Sequence, residues 1–157
     1  MKSKSSKILE TSADIRFAAM NLLARPEHSR LELVRKLQTR VENMELLDTV
    51  LDRLIEDHLL DDERFCEAFV RMRANGGYGP IRVRAELKDR GGCDQLIAQY
   101  MAAHDNDWFE QARLAFEKKY GTSPENDAKS RAKQQRFLAQ RGFSFEQIKY
   151  AQSGSDY

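Results

Sequence analysis

The stretch "YGPIRVRAELKDRG" (residues 78–91) decides the fold of this chain, and it can be interpreted in more than one way. Apolar and charged residues alternate from Ile81 to Leu87, which is typical of a half-buried strand leaving a glycine turn. The glycines around Tyr78 could instead form a loop that holds phosphate. A comparison with the rest of the chain favours a third interpretation, a helix.

The same pattern occurs twice more in the chain. "HSRLELVRKLQTR" (28–40) and "KSRAKQQRFLAQRG" (129–142) align with the first stretch without gaps. Six apolar positions then coincide in two sets of three: Leu37, Leu87 and Leu138, and, ten residues further on, Leu47, Ile97 and Ile148. The repeat period of about fifty residues is long enough for three short helices in each copy.

Each aligned stretch carries a helix-start pattern. In the first copy, Ser29 and Glu32 have the spacing of a capping box. Gly79 and Pro80 stand at the same place in the second copy, where glycine is tolerated as N-cap and proline is favoured as first helical residue. Ser130 occupies the place in the third copy, so we expect that helix to begin there too.

On the helix that starts at Gly79, the alternation of residues is accidental. Val83 and Leu87 face the core, Arg84 and Lys88 flank it, and Arg82 lies on the solvent side, which makes Arg82 the more exposed of the two central arginines. A lone strand would also have no partner strand elsewhere in the chain.

We therefore predict an all-α protein, an elongated array of three tandem three-helix repeats. The predicted repeats comprise residues 13–60, 61–107 and 108–152. A flexible tail rich in Ser and Lys (1–12) precedes them and a short C-terminal tail (153–157) follows. Left-handed caps are expected at Gly91 and Gly142, because glycine follows the arginine at the end of both helices.

The composition excludes several classes of function. No apolar run is long enough to cross a membrane and the N-terminus lacks the apolar segment of a signal peptide, so we expect a cytoplasmic protein with no membrane partner. Cys66 and Cys93 are too few and too far apart for a disulfide framework or a metal site. His28, His58 and His104 lie in unrelated surroundings, and "GGYGP" lacks the phosphate-loop lysine. The sequence thus predicts no enzyme, no metal and no cofactor.

The charge distribution gives the remaining functional signal. Basic and acidic residues nearly balance at 26 against 25, yet residues 42–67 carry ten acidic side chains, whereas 71–90 and 113–141 carry six and eight basic ones. Clustered cations attract anionic partners, although any single cation more often belongs to a solvated helix face. Tyr78 either packs on a neighbour or stacks on a partner. The candidate partner-binding residues are Arg71, Arg73, Tyr78, Arg82, Arg84, Lys88, Lys129, Arg131, Lys133 and Arg136.

Three segments resemble the RecX family, bacterial regulators of the RecA recombinase. They are "ARPEHSRLELVRKL" (24–37), "LIEDHLLDDERFCEAFVRMRANGGYGPIRVRAELKDRGG" (54–92) and "KQQRFLAQRGFSFEQI" (133–148). The resemblance implies tandem three-helix repeats. It also implies binding in the groove of RecA filaments on single-stranded DNA, with inhibition of ATP hydrolysis, strand exchange and the coprotease function that triggers the SOS response.

On this interpretation the partner is the RecA filament on single-stranded DNA, with a weak direct contact to DNA, and the protein is a monomer. The alternative is a helical-repeat protein that binds nucleic acid directly through its basic stripe. The two interpretations differ in whether binding to naked single-stranded DNA is weaker than binding to the filament.

Overall fold

Helices account for all regular structure in the described part of the chain. The computed structural model describes residues 7–103 and 108–153, so most of the predicted C-terminal tail, the first six residues and His104 lie outside it. Within these ranges there are nine α-helices and one turn of 3-10 helix at Gln38–Arg40. The α-helices are α1 (Ser12–Leu23), α2 (Arg30–Leu37), α3 (Met44–Glu56), α4 (Asp62–Asn75), α5 (Pro80–Asp89), α6 (Asp94–Ala103), α7 (Trp108–Tyr120), α8 (Ala128–Gln140) and α9 (Phe145–Ser153).

The helices follow one another in three groups of three, and α2, α5 and α8 fall on the three aligned stretches. Residues 78–91 contain α5, which begins at Pro80. The prediction of a helix start at Gly79 and Pro80 is confirmed, and the strand interpretation of this stretch is excluded. The all-α class predicted from the repeat is likewise confirmed.

The chain divides into two compact units, of which the first contains Met1–Cys66 and Arg90–Gly92. Its core is formed mainly by leucines that are at most 1% exposed: Leu33, Leu37, Leu47, Leu51, Leu54 and Leu60. Leu9, which precedes α1, is also buried, and its amide donates to the Arg40 carbonyl at 2.7 Å. The apolar stripes of α2 and α3 thus meet in one core, as the helical period predicts.

The start of α2 has the predicted capping box. The Glu32 amide donates to the Ser29 hydroxyl oxygen at 3.1 Å, and the Ser29 amide donates to the Glu32 carboxylate at 3.1 Å. The α4 helix is capped by Asp61, whose carboxylate accepts from the Glu63 and Arg64 amides at 2.9 and 3.2 Å. Both caps satisfy amides that have no partner inside their helix.

The second unit contains Glu67–Asp89 and Cys93–Tyr157. Val83 and Leu87 of α5 are fully buried in it, which confirms the core face predicted for this helix. Around α7, α8 and α9, the buried cluster contains Ala112, Ala115, Phe116, Leu138, Phe143, Ile148 and Ala151. The apolar positions that recur in the aligned stretches are therefore core positions.

The start of α8 differs from the prediction. Asp127 is the N-cap, with its carboxylate accepting from the Ser130 amide at 3.2 Å, so the helix begins at Ala128 and Ser130 lies inside its first turn. The prediction of a start at Ser130 is wrong. The gapless alignment places equivalent residues correctly, but the nearest good capping carboxylate decides where the first turn closes.

Main-chain hydrogen bonds join the end of α8 to the start of α5. The Gly79 amide donates to the Arg141 carbonyl at 2.7 Å, and the Ile81 amide donates to the Gly142 carbonyl at 3.0 Å. The amides at the start of α5 and the carbonyls at the end of α8 have no partners within their own helices, and here they bond to each other. The positive end of the α5 dipole thus lies next to the negative end of the α8 dipole. A Cβ on Gly79 would lie 2.5 Å from the Gly142 oxygen, and one on Gly142 would lie 2.7 Å from the Arg82 nitrogen.

A related contact occurs in the first unit. The Ser29 hydroxyl donates to the Arg90 carbonyl, and the Arg90 guanidinium lies 3.5 Å from the Glu32 carboxylate. A Cβ on Gly91 would come within 2.9 Å of both the Ser29 hydroxyl oxygen and the Leu31 Cβ. Gly91 has φ +112° and Gly142 has φ +98°, which confirms the predicted left-handed caps. An Arg-Gly helix ending therefore meets a helix start in both units.

Candidate partner-binding surface

Tyr78 lies at the centre of an arginine cluster in the second unit. The guanidinium carbons of Arg73, Arg82 and Arg141 lie 4.0, 4.6 and 4.8 Å from the centroid of its ring. A cation over an aromatic face is attracted by the negative potential of that face. Of the two expectations for Tyr78, packing within the chain is therefore the one observed.

Glu86 holds two of these arginines in place. Arg73 donates to both Glu86 oxygens at 2.8 and 2.6 Å, and Arg82 donates to one of them at 3.3 Å. Burial raises the pKa of the Glu86 carboxyl, but the hydrogen bonds and charges of Arg73 and then Arg82 outweigh burial, so this pKa lies below its ordinary value. The hydrogen bonds that Arg73 donates to Glu86 raise the pKa of Arg73 above its ordinary value despite partial burial.

The prediction that Arg82 is the more exposed of the two central arginines is wrong. Arg82 is half-buried, and besides its contact with Glu86 it donates to the Gln140 carbonyl at 3.3 Å, whereas Arg84 is exposed. A helical wheel places Arg82 away from the core of its own helix. It cannot show that the end of α8 covers that side of α5, where Gly142 touches the backbone of Arg82.

A groove of about 260 Å³ opens beside the cluster, and its lining comprises Gly76, Gly77, Ala115, Lys118, Lys119, Phe137 and Arg141. Three helices end here, since the glycines follow α4, the lysines lie in the last turn of α7 and Arg141 follows α8. The C-terminal ends of helices carry partial negative charge, which favours the lysine and arginine side chains found at this groove. Arg141 donates to the Gly76 carbonyl at 3.4 Å, and Lys119 lies 4.9 Å from the Phe137 ring centroid.

The glycine turn does not have the hydrogen-bonding capacity of a phosphate loop. The Gly76 amide donates to the carbonyls of Met72 and Arg73 at 3.0 and 3.1 Å, and the Gly77 amide donates to the Ala74 carbonyl at 3.1 Å. Amides that would bind phosphate are thus occupied by the end of α4.

The exposed candidate cations lie on α5 and α8. Arg84 and Lys88 project from α5, and Lys129, Lys133 and Arg136 from α8. Lys88 lies 3.8 Å from the Asp94 carboxylate, but both side chains are largely exposed, so this ion pair is weak. Among residues 7–103 and 108–153, the other four have no ion-pair partner. These cations remain available to an anionic partner.

Two further candidates have local partners. Arg71 forms an exposed ion pair with Glu67 at 3.4 Å, one turn earlier on α4. Arg131 donates to the Asn126 side-chain oxygen at 2.8 Å, before the start of α8. With Arg73, Tyr78 and Arg82 held in the cluster, the structure separates the predicted set into packed residues and accessible ones.

Three residues of this region were not predicted as site residues. Arg141 completes the Tyr78 cluster. Arg40, Arg90 and Arg141 occupy the same position in the three aligned stretches, and this recurrence could have indicated Arg141 from the sequence. Glu86 follows Arg82 at the i, i+4 spacing that favours an ion pair on a helix. Phe145, at the start of α9, is 74% exposed, and no pattern in the sequence indicated this.

No helix of the described residues is both long and apolar enough to span a membrane. Over the same residues, no group of three or more His, Cys, Asp or Glu side chains is arranged to hold a metal ion.

Fold and surface together define a tandem three-helix-repeat protein with accessible cations on α5 and α8. A family model described as the second three-helix domain of RecX matches residues 61–101, and one described as the third matches 105–151. The Regulatory protein RecX of Ectopseudomonas mendocina (strain ymp) is 47% identical over 149 residues, covering 95% of this chain and 99% of that protein. The Regulatory protein RecX of Pseudomonas entomophila (strain L48) is 44% identical over 151 residues, covering 96% and 97%. This chain belongs to the RecX family.

Solved structures support the same fold. The crystal structure of RecX from Lactobacillus salivarius superposes with a TM-score of 0.76 at 22% identity, covering 92% of this chain and 96% of that one. A second crystal structure, of a regulatory protein RecX, gives a TM-score of 0.74 over 90% of this chain and 73% of the other. At this identity the likeness concerns the fold alone.

Proposed function

We propose that this protein is a non-catalytic regulator that binds the RecA filament on single-stranded DNA and lowers its ATPase, strand-exchange and coprotease activities in the cytoplasm. The observation that carries the proposal is membership of a family whose close relatives bear the name regulatory protein RecX. The exposed cations of α5 and α8 support it, because both the DNA in such a filament and acidic protein surfaces attract positive charge.

The proposal is tested by the single-stranded-DNA-dependent ATPase of RecA. We expect the rate to fall when this protein is added at a fraction of the RecA concentration. An unchanged ATPase rate, even at equimolar protein, would overturn the proposal.

A double charge reversal tests the surface. Arg84→Glu combined with Lys133→Glu should raise the concentration needed for half-maximal ATPase inhibition by roughly tenfold or more, because two accessible cations become anions. Arg25→Glu combined with Lys7→Glu is the matched control, since both side chains are exposed and lie in the first unit, outside the candidate set, and the change in net charge is the same. Equal loss in the control variant would show that only net charge matters.

Arg82→Glu is unsuitable for this purpose. It would place a second carboxylate beside Glu86 and remove a guanidinium from the Tyr78 ring. A loss of binding in that variant would report misfolding of the cluster and would say nothing about partner contacts.

A further inference from the structure

An open apolar groove lies between α1 and the end of α2 in the first unit. Its volume is about 600 Å³, and the residues that precede α1 form part of its wall. Phe17 on α1 is 70% exposed at this groove and Ile8 is 38% exposed, so large apolar side chains face solvent there. The apolar lining residues are Ile8, Leu9, Phe17, Ala18, Leu22 and Leu37.

Two cations of the groove are held in place by neutral groups. Nδ1 of the buried His28 lies 3.0 Å from the Pro26 carbonyl oxygen and therefore carries the proton, so Nε2 accepts from the Lys36 ammonium at 2.8 Å. The Arg40 Nε donates to the Lys7 carbonyl at 2.9 Å. Both cations are thus positioned by hydrogen bonds that bring no negative charge.

The positive charge at the groove is not neutralised within the described part of the chain. Asp14 is the one carboxylate in the lining, and neither Lys36 nor Arg40 forms an ion pair with any described residue. Arginines elsewhere in the same unit do pair with carboxylates at 3.0, 3.0 and 3.1 Å: Arg16 with Asp57, Arg30 with Asp52, and Arg64 with Glu27. Exposed apolar surface rimmed by polar groups marks interaction sites, and here the rim is cationic.

From this combination we infer that the groove between α1 and α2 binds an acidic amphipathic helix of a protein partner. Apolar side chains of that helix would pack on Phe17 and Leu22, while its carboxylates would face Lys36 and Arg40. Grooves of this kind take a helix through apolar anchors at i, i+3 or i+4, and i+7, and complementary charge fixes its orientation. The contact requires neither DNA nor the cations of α5 and α8, and it goes beyond the proposed regulation of the RecA filament.

The surface suits a helix better than an extended peptide or a lipid bilayer. Residues 7–66 and 90–92 contain no strand, so an extended peptide would find no sheet edge to pair with. A flat bilayer would leave the floor of a concave groove unfilled, and this floor contains Leu9 and Leu37, which are at most 7% exposed. An apolar helix without acidic residues would cover Lys36 and Arg40 without supplying a counter-charge, which is unfavourable.

The first test uses a synthetic peptide as the probe. It is a fluorescein-labelled helix of about fifteen residues, with leucines at i, i+4, i+7 and i+11 and glutamates beside them. Fluorescence anisotropy should show saturable binding to the full chain, and Phe17→Ser should weaken it by about 10-fold to 100-fold, because a buried aromatic contact is lost. A probe with lysine in place of each glutamate should not bind.

Phe145→Ser is the matched control for loss of an exposed ring. Phe145 is 74% exposed at the start of α9, in the second unit. The affinity for the acidic probe should be unchanged in this variant.

The second test changes the charge of the groove in both directions. Asn21 is exposed on α1 and lines the groove. Asn21→Lys should raise the affinity for the acidic probe by about 1.5-fold to 5-fold and Asn21→Glu should lower it by a similar factor, with both effects shrinking at high salt. A substitution that only disturbed α1 would shift both affinities in the same direction.

Arg25→Gln is the matched control for net charge. It changes the charge of the chain by the same amount as Asn21→Glu, and Arg25 is exposed in the same unit but does not line the groove. The affinity for the acidic probe should be unchanged in this variant.

Three outcomes would overturn the inference. The first is the absence of saturable probe binding, and the second is a probe affinity that Phe17→Ser leaves unchanged, which would mean attraction by charge alone. The third is binding to phosphatidylglycerol vesicles, but not to the probe, that Phe17→Ser abolishes, which would assign the groove to a membrane surface. Inhibition of the RecA ATPase reports separately on the proposed function, so failure of the probe tests removes only this inference.

Discussion

Glu86 pairs with two of the arginines around Tyr78, Arg73 and Arg82, so its replacement should destabilise the protein. Glu86→Gln leaves Arg73 and Arg82 close together and partly buried without a counter-charge, with only 21% of the Arg73 side chain exposed. We expect the free energy of unfolding at pH 7 to fall by about 1.5–3 kcal/mol, the range for hydrogen bonds to charged groups. Urea denaturation monitored by circular dichroism measures this loss.

Glu67→Gln is the matched control, because Glu67 pairs with Arg71 across an exposed face of α4. This change should alter the unfolding free energy by less than about 1 kcal/mol. Equal losses in the two variants would contradict the role assigned to burial of the Glu86 pair.

The pH dependence follows from the direction of the Glu86 shift. Because the folded state lowers the pKa of Glu86, its stabilisation is complete above the ordinary glutamate value of about 4.3 and disappears as pH falls through that value towards the folded pKa. The difference in stability between the unsubstituted chain and Glu86→Gln should therefore shrink on acidification below about pH 4. A difference that stayed constant to pH 3 would argue against this linkage.

At the scale of elements, the contact between α8 and α5 depends on the absence of a side chain at Gly142. Gly142→Ala combines a left-handed backbone with overlap between the new Cβ and Arg82. Gly121→Ala has the same backbone penalty, with φ +78°, but nothing lies within 4 Å of its Cβ. We expect a loss of about 1–2 kcal/mol for Gly121→Ala and at least about 3 kcal/mol for Gly142→Ala. Thermal or urea unfolding of the pair measures the difference, and equal losses would show that the overlap relaxes without cost.

Local sequence patterns predicted the elements well because the interactions that define helices are local. Capping at Ser29, the preference for Gly79 and Pro80 at a helix start, and the spacing that puts Val83 and Leu87 on one face all depend on residues within one or two turns. The start of α8 was misplaced by the choice between two nearby capping residues.

The candidate site was predicted less completely, for a different physical reason. Whether Arg82 or Arg84 is accessible depends on where α8 ends, sixty residues further along the chain, and the spacing of residues within α5 carries no information about that. Phe145 was missed because periodicity shows which residues can be buried but not which apolar residue is left uncovered. Charge clustering did indicate accessible cations on α5 and α8.

At the scale of the whole molecule, the two cysteines differ in exposure, so the reactivity of the buried one reports on opening of the first unit. Cys66 is 0% exposed and belongs to the first unit, whereas Cys93 is exposed and belongs to the second. With a thiol-reactive dye, the native protein should show one fast and one slow reaction, because Cys66 reacts only when the structure around it opens. In Cys93→Ser only the slow reaction should remain. Two fast thiols in the native protein would mean that the first unit is open in solution.

The contact between Gly79 and Gly142 also affects how such a chain can diverge. Its hydrogen bonds join main-chain groups, so they do not depend on the identity of particular side chains. Neighbouring positions can change in sequence as long as positions 79 and 142 both remain glycine. A duplicated repeat would bring its own amides and carbonyls and would join the preceding one without compensating substitutions, which gives growth by tandem duplication a simple physical basis.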